Sequence, residues 1–329
     1  MLTIVSVATI VPVLFLAFFG DQSLATLLIG GFFLGIGGTS FAVGVPFVSA
    51  WFPPERRGLA IGIFGVGMVG TAISAFTTVR LVELGSSATP FLVTAAALAV
   101  YAVVAWLLLR DAPGQVRPTT SMAKRVGETL KLGVTWQAAA LYATLFGGYV
   151  AFSVYLPSLL KAEYDLSIAD ASNRMAGFVI LAVIMRPVGG FLSDKIGPVP
   201  VLATCLGAVV FGALIDATSP ALFPIATIAY RVMAAGLGAG SGATFALVAL
   251  LSPAGKVGSV TGVVGAAGGL GGFVPPLLMG VVYGATGSYT IGFLLLALVA
   301  AAVLVFTLTS IRSVLAKRDA VEVQRKVTA

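Results

Sequence analysis

The feature that most constrains this chain is a series of ten long apolar runs. Each run holds about 18 to 28 residues, enough for a helix to cross a hydrocarbon core of about 30 Å. Because 59% of the residues are hydrophobic and only 9% are charged, a water-soluble fold is excluded. The sequence predicts an all-α integral membrane protein. The predicted spans are residues 2–19, 24–51, 58–80, 90–109, 136–160, 169–192, 198–217, 224–251, 259–283 and 288–311.

Basic residues are distributed unevenly between the two sides of these spans. The net charge is +7, and most of the 19 basic residues fall on one side if the N-terminus is cytoplasmic. The connections "GDQS" and "KAEYDLSIAD" on the other side are rich in acidic residues. This positive-inside pattern predicts a multi-pass protein of the cytoplasmic membrane with both termini in the cytoplasm. No nucleic-acid partner is expected, since no basic stripe accompanies exposed aromatic residues.

Two pairs of segments repeat about 200 residues apart. "GLAIGIFG" (58–65) and "GSVTGVVG" (258–265) place glycines at the same three offsets. "GGTSF" (37–41) and "SGATF" (241–245) both place small residues before a phenylalanine. Transporters are often built from such related halves. We therefore expect two halves that meet in the long polar loop at 110–135.

The two halves differ in their number of helices. Three spans precede the glycine-rich pair in the second half and one does in the first, so two helices of a six-plus-six bundle are expected to be absent; a true ten-helix protein is the alternative. The predicted organisation is an incomplete transmembrane half at 1–109, a cytoplasmic loop at 110–135, a complete transmembrane half at 136–315 and a cytoplasmic tail at 316–329.

Three motifs resemble those of a known family. "GGFLSDKIGP", between the second and third helices of a half, is similar to a motif of the major facilitator superfamily. "GVGMVGTAISAF" (65–76) and "GAAGGLGGFVPPLLMG" (265–280) resemble the two glycine-rich signatures of its nitrate/nitrite porters, although Met68 stands where members usually have asparagine. The resemblance implies a superfamily bundle with ten of twelve helices present. It also implies a secondary transporter of nitrate and nitrite that works by alternating access.

Arg186 is a cation in the middle of an apolar span. It lies eight residues before Asp194, or about 12 Å along a helix, which is close to the bilayer midplane. A cation there costs at least about 2.5–3.5 kcal/mol and needs a partner. No span has a central carboxylate, so we expect an oxyanion substrate to bind the planar guanidinium. Snorkelling or bonding to backbone carbonyls is the alternative, and it is the expected state of Arg231.

The resemblance implies further residues of the substrate site. Phe41 matches a phenylalanine on the family's fourth helix, and Tyr142 and Phe146 match an aromatic pair on its seventh. The latter two are four residues apart and share a helical face. Simple packing is the alternative for each ring and for the glycines. Met68 and four glycines of the second signature complete the predicted set: Gly268, Gly269, Gly271 and Gly272.

The motif "GGFLSDKIG" is expected to form a gate. By resemblance, Asp194 would pair with a basic residue or a helix end across the cytoplasmic face, with Gly190 close by; a solvated surface carboxylate is the alternative. The chain has no histidine, P-loop motif or metal-ligand cluster, so we predict no cofactor, no metal and no enzymatic activity. The absence of a central carboxylate favours exchange of nitrate for nitrite, while proton symport stays open. A monomer in a lipid bilayer is expected.

Two other functions stay open at this point. One is a superfamily carrier for another small anion, such as a carboxylate or cyanate. The other is a transport-inactive membrane sensor or assembly subunit. Because the counterpart of Arg186 in the first half would lie on a missing helix, we expect residues 1–329 alone to be inactive. We expect two further apolar spans to be encoded upstream, the second with a central arginine.

Overall fold

The structure, a computed structural model, describes residues 1–53, 56–113, 121–253 and 255–315. In this part of the chain it contains helices and no strands. Ten helical segments are long and apolar enough to cross a membrane, which confirms the predicted all-α membrane fold. The segments are Leu2–Phe19, Leu24–Ser49, Arg57–Thr78, Thr89–Leu108, Gly133–Tyr164, Ile168–Ile196, Pro198–Asp216, Leu222–Leu251, Val257–Thr286 and Thr290–Leu315.

Thirteen α-helices are present in the described residues, together with short 3₁₀ and π segments. The 3₁₀ segments are Gly35–Gly38 and Val66–Val69, and the π segments are Leu222–Ala226 and Thr307–Ile311. The α-helices are α1 (Leu2–Phe19), α2 (Leu24–Leu34), α3 (Thr39–Ser49), α4 (Arg57–Gly65), α5 (Gly70–Leu84), α6 (Thr89–Leu108), α7 (Met122–Leu130), α8 (Gly133–Tyr164), α9 (Ile168–Ile196), α10 (Pro198–Asp216), α11 (Thr227–Leu251), α12 (Val257–Thr286) and α13 (Thr290–Phe306).

The predicted domain boundaries stay a prediction. The predicted tail, residues 316–329, and residues 114–120 of the predicted central loop lie outside the described residues. The described part of that loop contains α7, a short helix that precedes the first span of the second half.

Two of the predicted spans change helix type in their middle. The segment Gly35–Gly38 separates α2 from α3, and Val66–Val69 separates α4 from α5. Both segments contain or border several glycines, which have a low helix propensity because their backbone is so free. Helix α12, by contrast, runs without a break through Pro275 and Pro276. Because α12 is also rich in glycine and is unbroken, neither glycine nor proline alone marks where these spans change.

Helix α9 is packed between α4 and α11. Glycines on both neighbours allow the backbones to approach closely. A Cβ on Gly62 of α4 would lie only 2.5 Å from the Cα of Pro187, and a Cβ on Gly242 of α11 would meet the carbonyl of Arg186. Close backbone contact through small residues stabilises helix pairs in lipid, where little hydrophobic force drives helices together. This packing fixes the position of the central arginine.

The hydrophobic core forms two clusters of buried residues. The larger cluster is built mainly from α8 to α11 and α13. The smaller one contains Val45 of α3, Ile61 of α4, Tyr142 of α8 and Phe245 of α11. It therefore joins helices from the beginning of the chain to helices from its end. The predicted substrate site lies beside this smaller cluster.

The contacts between the early and the late helices are tightest near Asp194. Helix α4 contacts α9 and α11, and α3 contacts α12. Farther along the same span, a Cβ on Gly67 or Gly70 would have no neighbour within 4 Å. In α12, Gly265 and Gly269 face open space in the same way. The bundle is thus closed at the Asp194 end and looser beyond its middle.

Candidate functional site

Arg186 is buried at the centre of α9, with 4% of its surface exposed. Its Nη2 donates a hydrogen bond to the Tyr142 hydroxyl oxygen at 3.1 Å, and its Nη1 donates to the Gly65 carbonyl at 3.4 Å. Its Cζ atom lies 5.0 Å from the ring centre of Phe146 and 5.9 Å from that of Tyr149, so both rings face the cation. Carbonyl, hydroxyl and aromatic groups hold the guanidinium in place.

No carboxylate neutralises this cation within the residues that the structure describes. The two ion pairs found there join Arg174 to Asp170 and Lys256 to Glu128. Removing a charge from water is costly unless an opposite charge compensates it. The neutral partners of Arg186 satisfy some of its five N–H donors but contribute no negative charge. The charge of Arg186 is therefore uncompensated within the described residues.

Aromatic rings form one wall of the site. The rings of Tyr142 and Phe146 are stacked, with centres 4.6 Å apart and an angle of 6°. The ring of Phe41 is nearly parallel to that of Tyr142 at 6.5 Å, and Phe245 contacts Tyr142 edge-on at 4.6 Å. Four predicted site residues, Arg186 included, are thus brought together from α3, α8 and α9. A wall of this kind excludes water while its polarised ring edges can face an anion.

The predicted glycines of α12 have different neighbours. A Cβ on Gly268 would lie 2.5 Å from a ring atom of Tyr142 and 2.8 Å from one of Phe146, so this glycine makes room for the rings. Gly271 faces the backbone of α8, and a Cβ on Gly272 would lie 2.7 Å from the side chain of Val150. A Cβ on Gly269 would have no neighbour within 4 Å. Only Gly268 therefore borders the predicted binding residues directly.

Met68 lies in the 3₁₀ segment that follows Gly65. Its half-buried side chain packs against the larger hydrophobic cluster. It is therefore close in sequence to the carbonyl that binds Arg186. Its role in anion binding stays a prediction.

Asp194 contacts the N-terminus of α4. Its carboxylate accepts hydrogen bonds from the N–H groups of Gly58 at 3.1 Å and Leu59 at 2.9 Å. The positive end of the helix dipole favours a carboxylate at this position. Gly190 lies against the same turn, because a Cβ on it would be 2.6 Å from the carbonyl carbon of Gly58. The contact joins a helix end to the motif, while its action as a gate stays a prediction.

The sequence did not identify three residues of this site as binding candidates. The repeated "GGTSF" and "SGATF" segments pair Phe41 with Phe245, and this signal could have identified Phe245 as a second ring. The glycine pattern of residues 58–65 ends at Gly65, but it gives no sign that the carbonyl there contacts an arginine. Tyr149 is seven residues after Tyr142 and so lies on the same face of α8.

Known proteins resemble the chain in both sequence and fold. The family model described as Major Facilitator Superfamily matches residues 1–173 and again residues 138–327. A probable nitrate/nitrite transporter, NarK2, of Mycobacterium tuberculosis is 46% identical, over 95% of this chain and 79% of its own length. A nitrite extrusion protein of Bacillus subtilis is 33% identical, over 85% of this chain and 70% of its own.

A probable nitrate transporter, NarT, of Staphylococcus epidermidis is also 33% identical, over 84% of this chain and 70% of its own length. Among solved structures, the superfamily transporter FucP in an outward conformation matches with a TM-score of 0.72 and 15% identity. That match covers 93% of this chain and 81% of FucP.

Proposed function

Because this chain belongs to the major facilitator superfamily, we propose that it carries nitrate or nitrite across the cytoplasmic membrane as a secondary transporter, not as an enzyme. One observation carries the proposal: the buried cation Arg186 contacts a tyrosine hydroxyl and aromatic rings, and no described carboxylate neutralises it. Relatives named as nitrate or nitrite transporters support the choice of anion.

Arg186 and Tyr142 form the polar part of the proposed site. The guanidinium presents a planar fork that can donate two parallel hydrogen bonds to a flat oxyanion. Since the Tyr142 oxygen accepts a bond from Arg186, its hydroxyl proton is left to donate to the same anion. The rings of Phe41 and Phe146 exclude water, which strengthens each of these charge-assisted bonds. A small planar monoanion fits this set of groups.

Anion binding competes with the contact between α4 and α9. Nη1 of Arg186 donates to the Gly65 carbonyl at 3.4 Å, which is long for an N–H···O bond. An anion that takes this donor weakens the bond between the two helices. With both termini in the cytoplasm, the closed Asp194 end faces the cytoplasm and the site opens outward. Alternating access then requires Asp194 to release the N-terminus of α4.

Exchange of nitrate for nitrite is the proposed mode of transport, in a monomer. Arg186 has no carboxylate partner in the described part of the chain, so no group beside the anion is suited to carry a coupled proton. Exchange predicts that nitrite inside a vesicle accelerates nitrate entry and that a pH gradient does not. Acceleration by inward-directed protons alone would instead support symport.

The experiment that tests the proposed function replaces Arg186 by lysine. A point charge cannot reproduce the two-pronged contact, and a lost charge-assisted hydrogen bond weakens binding by about 10- to 100-fold. Binding of labelled nitrate to the purified chain should therefore weaken by at least that factor. Arg80→Lys is the matched control, since Arg80 is an exposed residue of α5, and it should bind nitrate like the parent. Parent-like binding by Arg186→Lys would refute the assignment.

Met68 allows a test of anion preference. Its thioether cannot donate a hydrogen bond, whereas an asparagine amide can. We expect Met68→Asn to tighten anion binding or to change the ratio of nitrate to nitrite uptake. Unchanged affinities for both anions would place Met68 outside the site and leave room for a carrier of another small anion.

A further inference from the structure

A cavity lined by both polar and apolar side chains lies between α8, α9 and α11, far from the substrate site. Its volume is about 470 Å³. On α9 it includes Arg174, which lies 20 residues before Asp194, or about 30 Å along the helix. The cavity is therefore at the opposite end of the bundle from Asp194. Its polar lining residues are Asn173, Arg174, Thr227, Tyr230 and Arg231, and its apolar ones include Leu156, Leu160, Phe178, Leu181 and Leu222.

This cavity borders an exposed apolar stripe of α9. Its residues Gly177 and Leu181 are followed at helical spacing by Ile184 and Val188, which are 56% and 38% exposed. Gly177 is nine residues before Arg186, so at about 100° per residue it points away from the substrate site. An exposed apolar stripe along a membrane span is the surface that acyl chains contact. The cavity lies at one end of that stripe and provides polar side chains there.

The charges of the cavity favour an anion. The Nε of Arg174 donates to the Asp170 carboxylate at 3.1 Å, which leaves the outer N–H groups of its fork available. The guanidinium of Arg231 forms no ion pair or hydrogen bond with another described residue. Asp216 and Glu163 both act electrostatically on Tyr230, but neither carboxylate lines the cavity. The lining itself holds two arginines and no acid, beside an apolar groove.

We propose that this cavity binds one anionic phospholipid from the leaflet at its end of the bundle. The guanidinium groups of Arg231 and Arg174 bind the phosphodiester through charge-assisted hydrogen bonds. One acyl chain lies along Leu181 and the exposed stripe below it. A free inorganic anion would gain nothing from this apolar lining, so the lipid is the better fit. Under the predicted orientation, the lipid belongs to the outer leaflet.

The first test counts lipids on the purified full chain. Native mass spectrometry after exchange into phosphatidylglycerol or phosphatidylcholine should show one tightly retained phosphatidylglycerol and no retained phosphatidylcholine. Each arginine near a membrane surface strengthens binding to anionic lipid about fivefold. Arg231→Gln and Arg174→Gln should each weaken retention by about that factor. Arg80→Gln removes an exposed arginine outside the cavity and should change nothing. Equal retention in all variants would overturn the proposal.

Asp170→Asn provides a variant of opposite sign. It removes the acid that shares Arg174, so retention of phosphatidylglycerol should rise. A decrease would contradict the charge argument.

Leu181→Ser distinguishes binding of a lipid from binding of a free anion. It should weaken phosphatidylglycerol retention, since part of the acyl chain loses its apolar contact. Inorganic phosphate at millimolar concentration should not displace the lipid. If phosphate displaces it and Leu181→Ser has no effect, the cavity is a free-anion site and the proposal fails. Arg231→Gln should bind nitrate like the parent in phosphatidylcholine vesicles, so a failure of the lipid proposal stays distinguishable from a failure of the proposed function at Arg186.

Discussion

The glycines of residues 58–65 and those of residues 258–265 share one spacing but lie in different surroundings. In α4 they face α9 so closely that a Cβ on Gly62 would lie 2.5 Å from the backbone of Pro187. In α12 the equivalent Gly262 faces α3, and its Cβ would lie 3.9 Å from the nearest atom, which is an ordinary contact. The spacing places the glycines on one face of the helix. The distance to the neighbouring helix determines whether a larger residue could replace them.

The difference between the two faces follows from what the neighbours carry. Helix α9 presents Arg186, Gly190 and Asp194 to α4, so its glycine face touches both the substrate site and the predicted gate. Helix α3 presents Pro46 to α12, and Gly265 faces open space. The same glycine pattern can therefore matter more for function in α4 than in α12. Substituting equivalent glycines in the two helices measures the difference.

The largest difference is expected between Gly62→Ala and Gly262→Ala. The added methyl group at position 62 meets the backbone of Pro187, which cannot move aside as a side-chain end could. Overpacking of this kind costs about 1–3 kcal/mol. Gly62→Ala should lower the melting temperature in detergent, whereas Gly262→Ala should match the parent. Equal behaviour of the two variants would remove the distinction between the faces.

The next largest effect is expected at the N-terminus of α4. Asp194→Ala removes the acceptor for two N–H groups, and loss of such a cap costs about 0.5–2 kcal/mol. We expect a lower melting temperature and easier cysteine labelling at the Gly58 end, reported by a cysteine introduced at Leu59. Asp194→Asn keeps an oxygen acceptor and should lose less. Labelling that is unaffected by Asp194→Ala would show that this contact does not hold the closed state.

A smaller effect is expected from Gly65→Ala. Its Cβ would lie 3.4 Å from Cδ and Nη1 of Arg186, so the methyl group fits but limits movement of the guanidinium. Nitrate affinity, measured by competition of unlabelled nitrate with labelled nitrate, should fall a few-fold, in keeping with about 0.5–1 kcal/mol for a mildly strained rotamer. Gly265→Ala is the control and should have the affinity of the parent. Loss of affinity in both would argue against a specific role of the first face.

The smallest effect on stability is expected at the N-terminus of α12, where Lys256 forms an exposed ion pair with Glu128 of α7. Lys256 hydrogen-bonds to Glu128 at 2.9 Å, and this bond together with its positive charge lowers the pKa of the Glu128 carboxyl below its ordinary value. Because the pKa is lower in the folded chain, the pair stabilises the fold above the ordinary glutamate pKa of about 4.3. That stabilisation disappears as the pH falls through the lower, folded-state value.

Glu128→Gln is therefore expected to lower the melting temperature slightly at pH 7, where an exposed pair contributes little. At pH 3 the difference from the parent should shrink toward zero. Melting curves at the two pH values provide the check. A difference that stays constant between them would exclude the ion pair as its cause.

Much of the fold was predictable because lipid imposes a simple requirement on sequence. A segment that crosses the membrane must be apolar and helical over its full length, so the ten spans follow from the runs alone. Arg186 could be found for the same reason, since a central cation is conspicuous there. Tyr142 and Phe146 lie on one helical face, and their proximity needed only the helix period.

The remaining parts of the site depend on contacts between distant segments. The Gly65 carbonyl and Arg186 are 121 residues apart in sequence, and no periodic pattern indicates their meeting. Phe245 joins Phe41 only after α11 and α3 have packed. The cavity around Arg231 requires three helices at once. Residue spacing predicts which side chains share a face of one helix. These features depend instead on which helices pack against each other.

The 3₁₀ segment Val66–Val69 gives its span an adjustable length. A residue in a 3₁₀-helix rises about 2.0 Å and turns about 120°, against about 1.5 Å and 100° in an α-helix. If these four residues became α-helical, the span would shorten by about 2 Å and α5 would rotate by about 80° relative to α4. Helix α4 is fixed to α9 by Asp194 and by close glycine contacts. Helix α5 would therefore be the part that rotates about its axis and shifts along it, while α4 stays in place.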